Sequence, residues 1–239
     1  MRRTLRIAAH NGAPEFGGAE IATALLLAGL RERGHEVALY YNRDVVADGA
    51  RPYGIPLRHA HLGGDIAVHH AVRFALQLRR FRPDVLIVGT FRKLWLASLA
   101  ARLAGVPLTV ARIGLSTDTP RSAKYRFAYR RLVDLVVVNA DDLAAAYREA
   151  LPWAPPPRIV RIHKGVEAPP ADPDRGAVRR RVRAELGIPA GATVIGGVGR
   201  LVEQKRFDRL LRALATLATE PATPSAVTPA PNPGTDSGT

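Results

Sequence analysis

At 239 residues, 47% of them hydrophobic, the chain has room for one large or two modest domains with a real core. Its 35 Lys and Arg against 21 Asp and Glu give a net charge of +14, which fits either a polyanionic partner or an arginine-rich solvated surface. The absence of cysteine excludes a disulfide framework, a thiolate zinc site and a cysteine nucleophile, and no apolar run reaches the length of a membrane span.

The basic start, MRRTLRIAAHNG, has too short and interrupted an apolar part for a signal peptide. Leu5 to Ala9 reads as a buried first strand, and His10 to Gly18 as a loop. From Ala19 to Arg33 the apolar residues recur at helical steps, and Gly34 is placed to end the helix. Val37 to Tyr41 is a second strand. Asn42 to Asp65 is polar, carries Pro52 and Pro56, and reads as irregular; Ile66 to Phe81 reads as a basic amphipathic helix. Such a helix lies either over the sheet or on an anionic membrane face. His59, His61, His69 and His70 cluster nearby, but only Asp65 adjoins them as a carboxylate, so they read as solvated histidines and no metal site is expected.

The remaining elements alternate. Strands are expected at DVLIVGT after Pro83, at Pro107 to Ile113 and at Asp134 to Asn139. Helices are expected at Leu94 to Ala104, Ala123 to Leu132 and Asp141 to Ala150. Repeated βα units with continuous apolar strands predict a doubly wound parallel sheet, Rossmann-like and buried on both faces. Ligands of such sheets sit at the carboxyl ends of the strands, here the loops at 10–18, 89–93 and 113–120. The proline-rich APPADPD (168–174) reads as a linker, and Arg175 to Leu186 as a basic helix stopped by Gly187. Thr219 to Thr239 holds five Pro and five Thr with no Lys or Arg, a composition expected to remain disordered.

Two stretches carry chemistry. Gly17-Gly18 precedes a helix start, where bare N–H groups suit an anion and where a plain tight turn would look the same. The second is TVIGGVGRLVEQKRFD, from Thr193 to Asp208. An apparent strand leads into Gly196, Gly197 and Gly199, followed by Arg200, Lys205 and a helical pattern. Glycines let backbone approach a ligand closely, and two cations on one loop suit a phosphate. An ordinary strand–turn–helix accounts for the same pattern.

The wording of these stretches resembles glycosyltransferase family 4. G-x-G-R-L-x-x-x-K-x-F-D (Gly197 to Asp208) is similar to the signature opening that family's C-terminal domain. G-G-A-E at Gly17 to Glu20 resembles its N-terminal loop. RPDVLIV at Arg82, DLVVVN at Asp134 and IHKGVE at Ile162 follow its order, with Lys164 in place of the usual Asn. The resemblance runs from Leu5 to about Leu217.

It implies a GT-B fold: an N-terminal Rossmann-like domain over 1–167, an incomplete start of a nucleotide-sugar-binding domain over 168–218, and a tail over 219–239. It implies retaining transfer of a sugar from a nucleotide-sugar to a hydroxyl acceptor, saccharide or lipid-linked, in cell-envelope polysaccharide, lipopolysaccharide or glycolipid synthesis. Arg200 and Lys205, with Gly17 and Gly18, would hold the donor diphosphate, and no metal cofactor would be required. Many members carry His-Gly after the fifth strand. This chain has Ala111-Arg112-Ile113-Gly114, so no His is carried over, and Arg112 and Gly114 are assigned to the acceptor side. The family's paired acidic motif does not follow Leu217, so the chain reads as truncated and inactive on its own. The alternative is a non-catalytic nucleotide- or anion-binding α/β protein. The expected location is the cytoplasm, at the inner face of an anionic membrane, with no nucleic-acid partner.

Overall fold

The computed structural model describes residues 3–64, 67–114, 122–154, 158–165 and 174–219. They fall in two compact units, Met1–Ala168 and Pro169–Thr239. The expected linker lies largely, and the proline-rich tail almost wholly, outside the described residues.

The first unit is built on seven strands: β1 (Arg6–Asn11), β2 (Glu36–Tyr41), β3 (Leu57–His59), β4 (Val85–Val88), β5 (Leu108–Ile113), β6 (Leu135–Val138) and β7 (Ile159–Arg161). They form one sheet in the order β3-β2-β1-β4-β5-β6-β7, and every pairing is parallel. Parallel neighbours need crossovers, and helices supply them. These are α1 (Gly18–Glu32), α2 (Asp44–Ala50), α3 (Val68–Phe81), α4 (Leu94–Ala104), α5 (Ala123–Arg131) and α6 (Asp141–Ala150).

Alternation along the strands divides the core into two layers. Ala8, Tyr40, Leu86, Val88, Ala111 and Val136 face α3, α4 and α6, whose Phe74, Leu78, Ala97, Ala101 and Tyr147 cover them. Ile7, Ala9, Val37, Leu39 and Ile87 face the other way, against Ala24 and Leu27 of α1 and Val46 and Ala50 of α2. Acidic residues close the amino ends of the strands. Asp84 accepts the Arg6 N–H at 2.8 Å, and Asp134 accepts that of Thr109 at 2.8 Å. Each satisfies a backbone donor that would otherwise end the ladder unpaired.

Two elements depart from the expectation that 42–65 is irregular. Val46, Ala47 and Ala50 lie on one face of a short helix and are buried, which is the reason α2 forms despite its polar neighbours. Leu57–His59 then adds to the free edge of β2 with three residues of pairing. β7, likewise only three residues long, had no alternation to reveal it.

The second unit contains α7 (Arg175–Glu185) and α8 (Phe207–Thr219). Gly187 follows α7 with φ +65°, a left-handed conformation that favours glycine. Thr193–Ile195, expected as a strand, is not one. Val194 and Ile195 are both exposed, and the described residues of this unit include no strand to accept their hydrogen bonds.

The two faces of α1 make the core assignment testable. Leu27 is fully buried and Leu25 is half exposed. Leu27→Ala is expected to cost about 2–5 kcal/mol in urea unfolding, and Leu25→Ala no more than about 0.5 kcal/mol. Equal losses at both positions would contradict the assignment.

Candidate functional site

All seven strands point the same way, so their carboxyl ends form one edge of the first unit. The chain reverses its direction of travel across the sheet between β1 and β4, and a crevice opens where neighbouring loops diverge. The loops after β1 and β4 flank that point.

They are tied together by Asn11, the buried last residue of β1. Its amide nitrogen donates to Glu20 at 3.3 Å. Its carbonyl oxygen accepts the Ala13 N–H at 2.9 Å and the Thr90 hydroxyl at 3.3 Å. Thr90 in turn accepts the Gly12 N–H at 2.9 Å. Gly12 is required here by close approach: a Cβ at that position would stand 2.5 Å from Cγ of Lys93. The Lys93 ammonium reaches on to donate to the Gly63 carbonyl at 2.7 Å, which joins the loops after β1, β3 and β4.

The glycine pair sits at the N-terminus of α1. Glu20 accepts the Gly17 N–H at 3.0 Å, one half of a capping box, and its carboxylate interacts favourably with the helix dipole. Of the two glycines, Gly18 has the clear surface: no atom lies within 4 Å of where its Cβ would be. An incoming anion would therefore meet the Gly18 end of the turn, with Glu20 already holding Gly17.

Arg112 comes from β5 to the same edge. Its guanidinium donates to the Thr23 hydroxyl at 2.9 Å, and Thr23 donates to the Ala19 carbonyl at 2.9 Å. Burial pulls the Arg112 pKa down, and the Glu20 charge opposes that fall. The structure thus brings Gly17, Gly18, Glu20 and Arg112 into one neighbourhood. Sequence reasoning missed Asn11, Thr90 and Lys93. The sequence marked the loops at 10–18 and 89–93 that hold them, but nothing in it singled out these three residues. Gly114 closes β5, with the Asn139 amide 3.9 Å from where its Cβ would stand; the loop beyond it, 115–121, lies outside the described residues.

In the second unit the glycine-rich turn packs under α8. A Cβ on Gly197 would stand 3.1 Å from Phe207 and 3.2 Å from Leu210, and one on Gly199 3.7 Å from Lys205 Cγ. Gly197 therefore serves close packing, with Arg200 and Lys205 on the loop that leads into the helix. Arg206 holds φ +50° between a 3₁₀ turn (Glu203–Lys205) and α8, and its guanidinium lies 3.3 Å from Asp208 and 3.9 Å from Glu203.

The histidines do meet. His61 and His70 are perpendicular with ring centroids 4.8 Å apart, and His69 and His70 lie 4.1 Å apart. Among the described residues no three His, Asp or Glu are arranged to hold a metal ion; Asp65 lies outside them.

A sheet of this order, with polar loops gathered at its switch of direction, defines a Rossmann-like α/β domain. The family model of Glycosyltransferase Family 4 matches residues 16–168, more than half of the chain. The chain belongs to glycosyltransferase family 4. It is 28% identical over 221 residues to the GDP-mannose-dependent alpha-mannosyltransferase of Mycobacterium tuberculosis (strain CDC 1551 / Oshkosh), covering 85% of this chain and 57% of that protein. It is 35% identical over 107 residues to the D-inositol 3-phosphate glycosyltransferase of Corynebacterium glutamicum (strain R), covering 42% of this chain and 25% of that protein. Its fold is similar to that of Anabaena Alr3699/HepE solved in complex with UDP-glucose. The TM-score is 0.68 at 19% identity, covering 89% of this chain and 57% of that one. A glycosyltransferase from Rickettsia africae ESF-5 gives 0.74 at 15% identity, covering 90% and 58%. The chain thus spans a little over half the length of the mannosyltransferase and of both structures.

The buried His10 supplies a pH test. Its Nε2 lies 3.2 Å from the Ala60 carbonyl, so the proton sits there, and Nδ1 is buried with no hydrogen-bond partner. Burial lowers its pKa from 6.5 to about 4. A depressed pKa of this kind contributes stability above pH 6.5 that is lost as pH falls towards 4. Between pH 7 and 4.5 the protein is expected to lose roughly 2–3 kcal/mol through this group. His10→Gln should remove that share of the slope in denaturant titrations, and an unchanged slope would show that His10 does not titrate as a buried group.

Proposed function

We propose that this protein takes part in retaining transfer of a sugar from a nucleotide-sugar to a hydroxyl acceptor. The observation that carries the reading is the G-G-A-E turn. It is held by Glu20 and Asn11 at the sheet's switch of direction, in a chain that belongs to glycosyltransferase family 4. The relatives' names add support: one uses GDP-mannose, and a solved structure of similar fold holds UDP-glucose.

In this reading Gly17 and Gly18 present the α1 N-terminus to phosphate. Glu20 and Asn11 keep that turn rigid, and Arg112 stands on the acceptor side with Gly114. On the second unit, Arg200 and Lys205 offset the charge that grows on the leaving diphosphate, the work a metal cation does elsewhere. No metal cofactor is needed when side-chain cations supply that charge. The acceptor belongs to the saccharide or lipid-linked class of cell-envelope intermediates, and the protein works in the cytoplasm.

Calorimetry with UDP and GDP tests the donor half. Binding is expected for one of them in the high-micromolar to millimolar range. Arg200→Ala and Lys205→Ala are each expected to weaken it tenfold or more, a loss of roughly 1.5–3 kcal/mol. No heat with either nucleotide would remove the donor reading. Binding without turnover across a panel of nucleotide-sugars and acceptors would favour a non-catalytic binding role.

Contact with an anionic membrane rests on α3. No helix among the described residues is long and apolar enough to cross a membrane. Val68, Val72 and Leu76 are nevertheless exposed at four-residue steps along one stripe of α3, beside the exposed Arg73, Arg79 and Arg80. The protein is expected to sediment with phosphatidylglycerol vesicles at low salt, and Val72→Glu with Leu76→Glu to abolish this. Sedimentation unaffected by the pair would exclude α3 as the contact.

A further inference from the structure

The histidine cluster is left over by the reading above. It borders a surface cavity of about 250 Å³ between the end of β3 and the first turns of α3. Its walls are His59, His61, His70, Arg73 and Gln77, and Ala60 and Phe74 form the buried apolar floor. Five side chains able to donate hydrogen bonds therefore surround the space, and among the described residues its lining includes no carboxylate. Among the described residues no acid pairs with Arg73.

The local hydrogen bonds orient these donors. His70 Nδ1 accepts the Gly63 N–H at 3.1 Å, so in the neutral ring the proton sits on Nε2, which is left to donate. His61 stands perpendicular to His70, and His69 packs beside it. Lys93 reaches the same Gly63 from the turn after β4 and brings a further positive charge. The N-terminus of α3, which carries His69, His70 and Arg73 in its first turns, adds its dipole with the same sign. Among the described residues, the groups facing His70, from the loop after β3, from α3 and from the turn after β4, are thus all positive or neutral. Desolvation, then His69, His61, Arg73 and Lys93, hold its pKa below the usual imidazole value.

We infer that this cavity is a binding site for a phosphate-type dianion carried by a small soluble ligand, with Arg73 as its fixed charge and His61 and His70 as hydrogen-bond donors, His70 gaining charge when the ligand is bound. A dianion supplies acceptors for several donors at once and offsets the like-charge repulsion among the imidazoles. Phe74 and Ala60 suit the apolar edge of an attached organic group. Because His70 binds the anion best when protonated, affinity rises as pH falls. The site requires nothing of the donor reading.

Sulfate is the probe of choice, because its charge stays fixed across the pH range; inorganic phosphate and glycerol phosphate follow. In two-dimensional NMR of the full chain, the imidazole signals of His61 and His70 are expected to shift saturably with sulfate. Affinity should rise at least fivefold from pH 8 to pH 5.5. Arg73→Ala should weaken binding at least tenfold. Arg148→Ala, which removes an exposed charge from α6, should leave it unchanged. Vesicles of phosphatidic acid form a separate arm. The site is overturned if neither sulfate nor soluble phosphate shifts these signals, if vesicles alone do, or if Arg148→Ala weakens binding as much as Arg73→Ala. UDP binding measured on the same Arg73→Ala protein should be unaltered, so failure of this site and failure of the donor reading remain separate results.

Discussion

β1 lies in the middle of a parallel sheet and is covered on both faces, yet its last two residues are polar. Burial of Asn11 without partners would cost more than most single hydrogen bonds return. The amide is instead satisfied three times, by Glu20, Ala13 and Thr90. Those bonds settle where the loop after β1 turns, where α1 begins and how the loop after β4 approaches. The polar end of the sheet is therefore ordered by the same strand whose apolar body anchors both core layers.

The two ends of the strands differ in kind. At the amino ends, Asp84 and Asp134 each accept a backbone donor of a neighbouring strand with one oxygen and pair with an arginine, Arg3 and Arg102, through the other. At the carboxyl ends the bonds run between loops, with Lys93 crossing Gly12 to reach Gly63. Structural acids at one edge and a crosslinked set of polar loops at the other are what a parallel sheet produces. Its helix N-termini all open on the carboxyl side, where unpaired N–H groups and positive dipole ends accumulate.

Glu20 shows how capping and binding compete. By holding Gly17 it stabilises the start of α1 but places a negative charge where an anion would otherwise enter. Gly18, with open space over it, is left as the accessible part of the turn. Arg112 supplies a compensating charge from β5 and is itself held by Thr23. His10 resolves the strain of polar burial differently, by staying neutral against the Ala60 carbonyl.

The sequence by itself determined the parallel α/β class, because continuous apolar strands and helical periodicity are local patterns that survive without tertiary information. It also determined family membership, through the wording of Gly17 to Glu20 and Gly197 to Asp208. It could not reveal α2 or the short edge strands β3 and β7. Val46, Ala47 and Ala50 mark a helix face only once a core lies against them, and three-residue strands form only where an edge is waiting. The reverse holds for Thr193–Ile195, whose β-branched residues look like a strand but find no strand to pair with among the described residues of their unit. Tertiary structure alone decided the roles of Asn11, Thr90 and Lys93, and it brought His61 to His70. Hydrogen bonds between residues 79 positions apart depend on which loops the sheet order brings together, and no local pattern encodes that.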